Sequence, residues 1–222
     1  MIKNSFVDYP GEIATVVFTC GCNFDCWYCH NRSLIKQNQK KIEIIEENEV
    51  LDFLNKRRKM IDAVVISGGE PTLQKELKSF LIKIKKMNFK TKLDTNGSNP
   101  NILKELLDEK LLDYVAMDIK TSFEKYSNLV QKKVKTEDLK QSIKILMDSN
   151  IDYEFRTTFS PDVTLDDIRL IVQTIKGAKA YALQKYNQPD SNCPAPHNLV
   201  VFDHALEIAK QYIDNSFLRS FD

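Results

Sequence analysis

Residues 19–31, TCGCNFDCWYCHN, hold four of the chain's five cysteines and follow directly on the apolar stretch ATVVF, Ala14 to Phe18. A β-branched run that ends in a thiol-rich loop is read as a buried strand carrying a set of ligands to one edge of a sheet. Cys22, Cys26 and Cys29 have the spacing C-x-x-x-C-x-x-C, Cys20 stands just before them, and Cys193 lies far off in NCPAPHN. Four thiolates saturate a tetrahedral zinc or a cubic iron-sulfur cluster, whereas three on a [4Fe-4S] cluster leave one iron with open positions. The zinc alternative would use Cys20, Cys22, Cys26 and Cys29, or His30 as the fourth ligand. Zinc sites usually take ligand pairs from two separate elements, and no second C-x-x-C pair follows in this sequence.

The bulk numbers frame that loop. The chain has 222 residues, 42% of them hydrophobic, which suits a single domain spanning 1–222 with one substantial core. Lys and Arg total 32 against 31 Asp and Glu, a formal net charge of +1, so no broad attraction to nucleic acid or to an anionic membrane is encoded. The apolar run from Ile13 to Phe18 is too short to span a bilayer and lacks the flanks of a secretory signal. The expectation is a cytoplasmic protein, where clustered thiols are metal ligands or redox groups rather than disulfides. An odd count of five cysteines agrees.

Outward from the loop, short β-branched or apolar runs recur at Ala14 to Phe18, Ala63 to Ser67, Thr91 to Asp94, Tyr114 to Asp118, Tyr153 to Thr158 and Ala180 to Gln184. They are the six expected core strands. Between them, Leu77, Phe80, Leu81 and Ile84, and again Leu165, Ile168, Ile171, Val172 and Ile175, fall on one face of a 3.6-residue period. Asn99 and Pro100 read as cap and first turn of a further helix through Ile102, Leu103, Leu106 and Leu107. Alternating strand and helix imply right-handed βαβ units and a parallel sheet. Six units make either an incomplete (β/α) barrel or a doubly wound sheet, and both put the working surface at the carboxyl ends of the strands.

The remaining motifs fall on that edge. Ser67-Gly68-Gly69-Glu70-Pro71-Thr72 ends the second strand, where glycines let a backbone approach a ligand without a Cβ and Glu70 supplies an acceptor; the alternative is a turn capped by Thr72. Asp94-Thr95-Asn96-Gly97 ends the third strand and Asp118-Ile119-Lys120 the fourth; capping carboxylates and an exposed lysine are the plainer reading of each. Along the fifth strand, Glu154, Arg156 and Thr158 share a face. A charge there needs a partner, either an internal Glu154–Arg156 pair or an anionic ligand group held by Arg156. Gln184 ends the sixth strand, and Trp27 and Tyr28 shield the cysteine loop or stack on a ligand. His197 and His204 lack metal-like spacing and are read as surface residues.

Taken together, FVDYPGEIATVVFTCGCNFDCWYCHN, ISGGEPTLQ, LDTNG, VAMDIKT and EFRTTF, over roughly residues 5 to 185, resemble the radical S-adenosylmethionine enzymes. Within them the sequence is most similar to the activating enzymes of glycyl-radical proteins, above all the activase of anaerobic ribonucleoside-triphosphate reductase. The resemblance implies an α/β fold, a partial (β/α)6 barrel of parallel strands, with a [4Fe-4S] cluster on Cys22, Cys26 and Cys29 as the catalytic group. It implies S-adenosylmethionine contacts at Tyr28, Gly68, Gly69, Glu70, Asp94, Asn96, Lys120, Arg156 and Gln184, the adenine lying near Tyr28 and the carboxylate near Arg156. It further implies a monovalent cation on Asp94, Thr95 and Asp118. The activity implied is reductive cleavage of S-adenosylmethionine to a 5′-deoxyadenosyl radical that makes a glycyl radical on a partner, with flavodoxin or ferredoxin as electron donor. Cys20 departs from the pattern, which has glutamine there, and is read as a packing residue. A radical enzyme acting on a small molecule, as a deazapurine synthase or cofactor maturase does, and a zinc-binding adaptor are the alternatives.

Overall fold

The computed structural model describes residues 1–35, 43–188 and 191–219. Eight strands, β1 (Ile2–Ser5), β2 (Ala14–Thr19), β3 (Ala63–Gly68), β4 (Lys90–Thr95), β5 (Tyr114–Asp118), β6 (Asp152–Phe159), β7 (Tyr181–Lys185) and β8 (Ser216–Arg219), form one sheet in that order. Strands β2 to β8 are parallel, and β1 runs antiparallel to β2. The six expected core strands are β2 to β7, the last beginning at Tyr181 instead of Ala180. Beyond these six, β8 is a full parallel neighbour of β7.

Among the described residues eight α-helices accompany the strands: α1 (Arg32–Ile35), α2 (Glu47–Lys56), α3 (Leu77–Lys86), α4 (Pro100–Asp108), α5 (Tyr126–Leu129), α6 (Thr136–Met147), α7 (Leu165–Thr174) and α8 (Leu199–Lys210). From β3 onward each parallel step carries at least one helix, as a crossover between parallel strands requires. Leu77, Phe80, Leu81 and Ile84 of α3 and Ile168, Ile171 and Val172 of α7 are all buried, the stripes that the sequence period marks. They pack on the outer face of the sheet, on Ile66, Leu93, Val115, Phe155 and Leu183. Helix α4 starts at Pro100 as expected, but Asn99 gives its helix no side-chain cap; its amide instead donates to Thr72 Oγ1 at 2.8 Å. Helix α7 does carry a capping box, Thr164 with Asp167.

The strands' alternate residues make the opposite face. At its lower end a small apolar cluster of Tyr9, Ala14, Val16, Ala63 and Val65, with Phe18 and Tyr114 packed on it, fills the space inside the curve. Above it the same face turns polar with Lys92, Asp94, Asp118, Glu154 and Arg156. Ile2 at one end of the sheet and Arg219 at the other line one cavity, so the sheet curls round on itself while β1 and β8 stay unpaired with each other. The fold is thus an open α/β barrel of parallel strands. Among the described residues no helix is long and apolar enough to cross a membrane.

Candidate active site at the strand carboxyl ends

Where β2 ends, the backbone of the cysteine loop is stitched to the turn after β3. Gly69 N donates to Thr19 O at 2.9 Å and Glu70 N to Gly21 O at 2.8 Å. A Cβ on Gly69 would lie 1.9 Å from Gly21 O, and one on Gly68, whose φ is +116°, 2.3 Å from Thr19 N. Only glycine permits that approach. The closest neighbour that demands these glycines is therefore the cysteine loop itself.

Glu70 completes the joint. It is fully buried, and Oε1 accepts from Thr72 N (3.0 Å), Thr72 Oγ1 (2.6 Å) and Thr95 Oγ1 (2.8 Å), while Oε2 accepts from Asn96 N (2.7 Å). Burial raises its carboxyl and these hydrogen bonds oppose the rise. The turn is capped by Glu70 rather than by Thr72, and Glu70 ties β3 to β4 instead of facing open space.

Beside this joint lies a cavity of about 510 Å³. Its walls include the Cys22, Cys26 and Cys29 thiols, Tyr28, Gly68, Gly69, Asp94, Thr95, Asn96, Asp118, Lys120, Arg156 and Gln184. Every expected site residue except Glu70 is on that wall, and Cys20 and Cys193 are not. Among the described residues, no three of His, Cys, Asp and Glu are gathered tightly enough for a single metal ion. Burial pushes the Cys26 thiol up to about 11, with Lys120 pulling the other way, and Cys22 also rises chiefly by burial. Both are protonated thiols at neutral pH, so a metal binding them displaces protons.

An ion chain crosses the wall opposite. Lys92 Nζ meets Asp94 Oδ1 at 2.8 Å, Arg156 Nη1 lies 3.4 Å from Asp94 Oδ2, Arg156 Nε donates to Asp118 Oδ1 at 2.8 Å, and Lys120 Nζ meets Asp118 Oδ2 at 2.9 Å. Burial alone would raise Asp118, but Arg156 and Lys120 outweigh it and hold the carboxyl at about 2. Asp94 is lowered in the same way by Arg156 and Lys92. Three cations face two carboxylates, an excess that suits an anionic ligand group. For a monovalent cation the arrangement is poor, because Asp94 and Asp118 are already paired and the Thr95 hydroxyl is given to Glu70.

Other predicted pairings change. Glu154 does not pair with Arg156; it takes Arg219 in a two-point contact of 2.5 and 2.7 Å and accepts from Tyr114 Oη at 3.2 Å. Lys92 and Arg219 are the site residues that sequence reasoning missed. Lys92 was legible, since it sits two residues before Asp94 on the same strand face; Arg219 shows its role only through the pairing of β8 on β7. His197 is no surface residue: its Nε2 bonds Ser160 O at 3.1 Å and Val163 O at 3.0 Å, and its ring lies 4.2 Å from that of Phe159.

With this geometry in place, comparison with known proteins finds a family match, the Radical SAM superfamily, over residues 16–175. A protein of Methanocaldococcus jannaschii named "putative glycyl-radical enzyme activating enzyme" is 36% identical over 234 residues, covering 100% of this chain and 95% of its own length. The pyruvate formate-lyase-activating enzyme of Staphylococcus aureus is 32% identical over 123 residues, 51% of this chain and 49% of that protein. In fold, Streptococcus suis SuiB in its crystal structure with S-adenosylmethionine gives a TM-score of 0.74 at 16% identity, covering 93% of this chain. This chain spans 50% of SuiB's length, and at that identity the likeness is one of fold.

Proposed function

This chain belongs to the radical S-adenosylmethionine superfamily, and from that premise we propose that it is an activase that places a glycyl radical on a partner protein, anaerobic ribonucleoside-triphosphate reductase being the intended one. The observation that carries the reading is the single cavity that gathers the Cys22, Cys26 and Cys29 thiols, the Gly68–Gly69 turn and the Lys92–Arg156–Lys120 cations while leaving Cys20 and Cys193 outside. The full-length relative from Methanocaldococcus supports activation over small-molecule chemistry.

The residues present fit the groups that the superfamily implies. Three thiols offer the donor set for a [4Fe-4S] cluster with one iron open, and the Tyr28 hydroxyl is buried with no hydrogen-bond partner among the described residues, a place for a ligand atom. A [4Fe-4S] cluster on Cys22, Cys26 and Cys29, with S-adenosylmethionine beside it, supplies a one-electron cleavage of the sulfonium to a 5′-deoxyadenosyl radical. The protein's own part is to bind, orient and exclude water. Arg156, fixed by Asp94 and Asp118, presents a rigid guanidinium for a carboxylate. Lys120 and Lys92 add charge without moving, since each is already hydrogen-bonded. The glycine turn and Asn96, 3.9 Å from Cys22 Sγ, form the wall nearest the first thiol. The apolar cluster under Tyr9 and Tyr114 keeps the inner end of the curve dry. The donor of the electron is a low-potential carrier of the flavodoxin or ferredoxin class, and the thiols suit the reducing cytoplasm.

The test is anaerobic. After reconstitution with iron and sulfide, the protein is incubated with dithionite, S-adenosylmethionine and a reductase bearing the candidate glycine, and the mixture is examined by electron paramagnetic resonance. A doublet that disappears when the partner's glycine is replaced by alanine supports activation. Methionine release with no protein radical on any glycine-bearing partner would favour a small-molecule substrate. Zinc in place of iron, with no nucleoside product, would refute the whole reading.

A further inference from the structure

Between the second and third thiols the loop has two residues, Trp27 and Tyr28. The part before them is fastened to the body of the protein by one ring contact and two bonds to its backbone: Phe24 is buried against Tyr126, Asp25 N donates to Val130 O at 2.9 Å, and Arg32 Nη1 donates to Cys26 O at 2.8 Å. Trp27 is fastened through its side chain. Its Nε1 donates to Asp162 Oδ2 at 2.6 Å across 135 positions of sequence, a short charge-assisted bond. Its ring meets Tyr28 edge-on at 5.6 Å and Tyr186 at 5.5 Å.

Asp162 is itself held from a third region of the chain. It lies in the turn 160–163 between β6 and α7, closed by Val163 N to Ser160 O at 2.9 Å. His197 bonds the Ser160 and Val163 carbonyls with one ring nitrogen. Both partners are acceptors only, so Nε2 carries the hydrogen. His197 also packs on Phe159, the two rings tilted by 31° with centroids 4.2 Å apart, and Phe159 in turn meets Phe202 of α8 at 5.2 Å. A continuous line of contacts therefore runs from α8 through His197 and the 160–163 turn to the indole.

We propose that Asp162 and His197 are positioning residues, a brace that sets the Cys26–Cys29 segment through Trp27 before any iron arrives. The proposal rests on the cluster reading of Cys22, Cys26 and Cys29. Its reach is the spacing of the second and third thiols; among the described residues no other polar side chain from outside the loop bonds Trp27 or Tyr28. Partners of this kind around a metal site typically alter metal retention 10–100-fold.

Trp27 is the protein's only tryptophan, so the fluorescence of the iron-free protein reports this site alone. In the cluster-free full chain, Asp162→Ala is expected to red-shift the emission and make the indole easier to quench with acrylamide, and His197→Ala to do the same at one remove. Asp162→Asn keeps an acceptor and should stay close to the parent. In the reconstituted protein, Asp162→Ala and Trp27→Phe are each expected to lose iron to a chelator about 10-fold faster, and the double variant no faster than either. Circular dichroism confirms that the variants are folded. If the indole is freed while iron leaves at the parental rate, or if the two losses multiply in the double variant, the brace does not act on the thiol loop and the proposal is overturned. If the parent itself takes up no iron, the cluster reading fails, and the emission data separate that failure from the absence of a brace.

Discussion

Glu70 illustrates what a single side chain does in this site. Its carboxylate collects four donors from two strand ends, so it acts as a fastener, and Glu70→Gln would put an amide N–H₂ against donors. The expected loss is about 1–3 kcal/mol, read as a lower midpoint in urea. The thiols divide in the same concrete way. Alanine at Cys22, Cys26 or Cys29 is expected to abolish iron uptake after anaerobic reconstitution, whereas Cys20→Ala keeps it, since Cys20 is off the cavity wall. Iron analysis decides it, and retention in Cys22→Ala with loss in Cys20→Ala would reverse the ligand assignment. Gly69→Ala should be severe for a steric reason, because the new methyl meets Gly21 O at 1.9 Å. Overpacking of this sort costs about 1–3 kcal/mol, and forcing the two loops apart should lower iron occupancy along with the thermal midpoint.

At the scale of the elements, the turn that leads into α7 offers a pH test. Burial would raise Asp167, but hydrogen bonds from Lys125, Ser122 and Thr164 hold its carboxyl at about 2. A carboxyl lowered on folding stabilises the protein above its ordinary range near 4 and loses that contribution as pH falls through its folded value. With Lys125 half exposed, the contribution is discounted to about 1 kcal/mol. Asp167→Asn should therefore be less stable than the parent at pH 7, with the gap closing between pH 4 and pH 2; a gap constant across that range would show that the charge is not the cause.

These elements also show what the sequence discloses. Strands β2 to β7 and the buried stripes of α3 and α7 are legible because burial on one or both faces writes a period into the chain. The ends of those strands could be read as a site because the fold class places function at that edge. What stays hidden is which neighbour a polar group chooses. Asn99 caps no helix because Thr72 is nearer in space, and Arg156 leaves Glu154 for Asp94 and Asp118, which approach only when β4, β5 and β6 pair. His197 seemed superficial for want of a spaced companion; its partners are main-chain carbonyls, which leave no trace in residue type.

For the molecule as a whole, the cavity depends on a residue from the last strand. Arg219 of β8 satisfies Glu154, which is 1% exposed in its side chain, on the neighbour but one, β6. Removing one member of a buried pair leaves an uncompensated charge, so Arg219→Met is expected to cost about 2–3 kcal/mol, roughly 5–10 °C in thermal midpoint for a chain of this size. Adding Glu154→Gln should restore most of it. Full destabilisation persisting in the double variant would mean that Arg219 matters for packing, not for charge.

Because the strands lie in space in the order in which they are written, the sheet is completed only when its last strand has left the ribosome, as a domain folds as a unit. The thiols emerge with β2, well ahead of the glycine turn of β3 that seats their loop and of the carboxylates of β4 and β5. For that interval they are naked sulfhydryls on an unfinished chain, open to oxidation or to the wrong ion. Iron delivered after release meets a finished cradle, so maturation that follows translation is the safer schedule for this architecture, and oxidant stress should harm newly made copies more than finished ones.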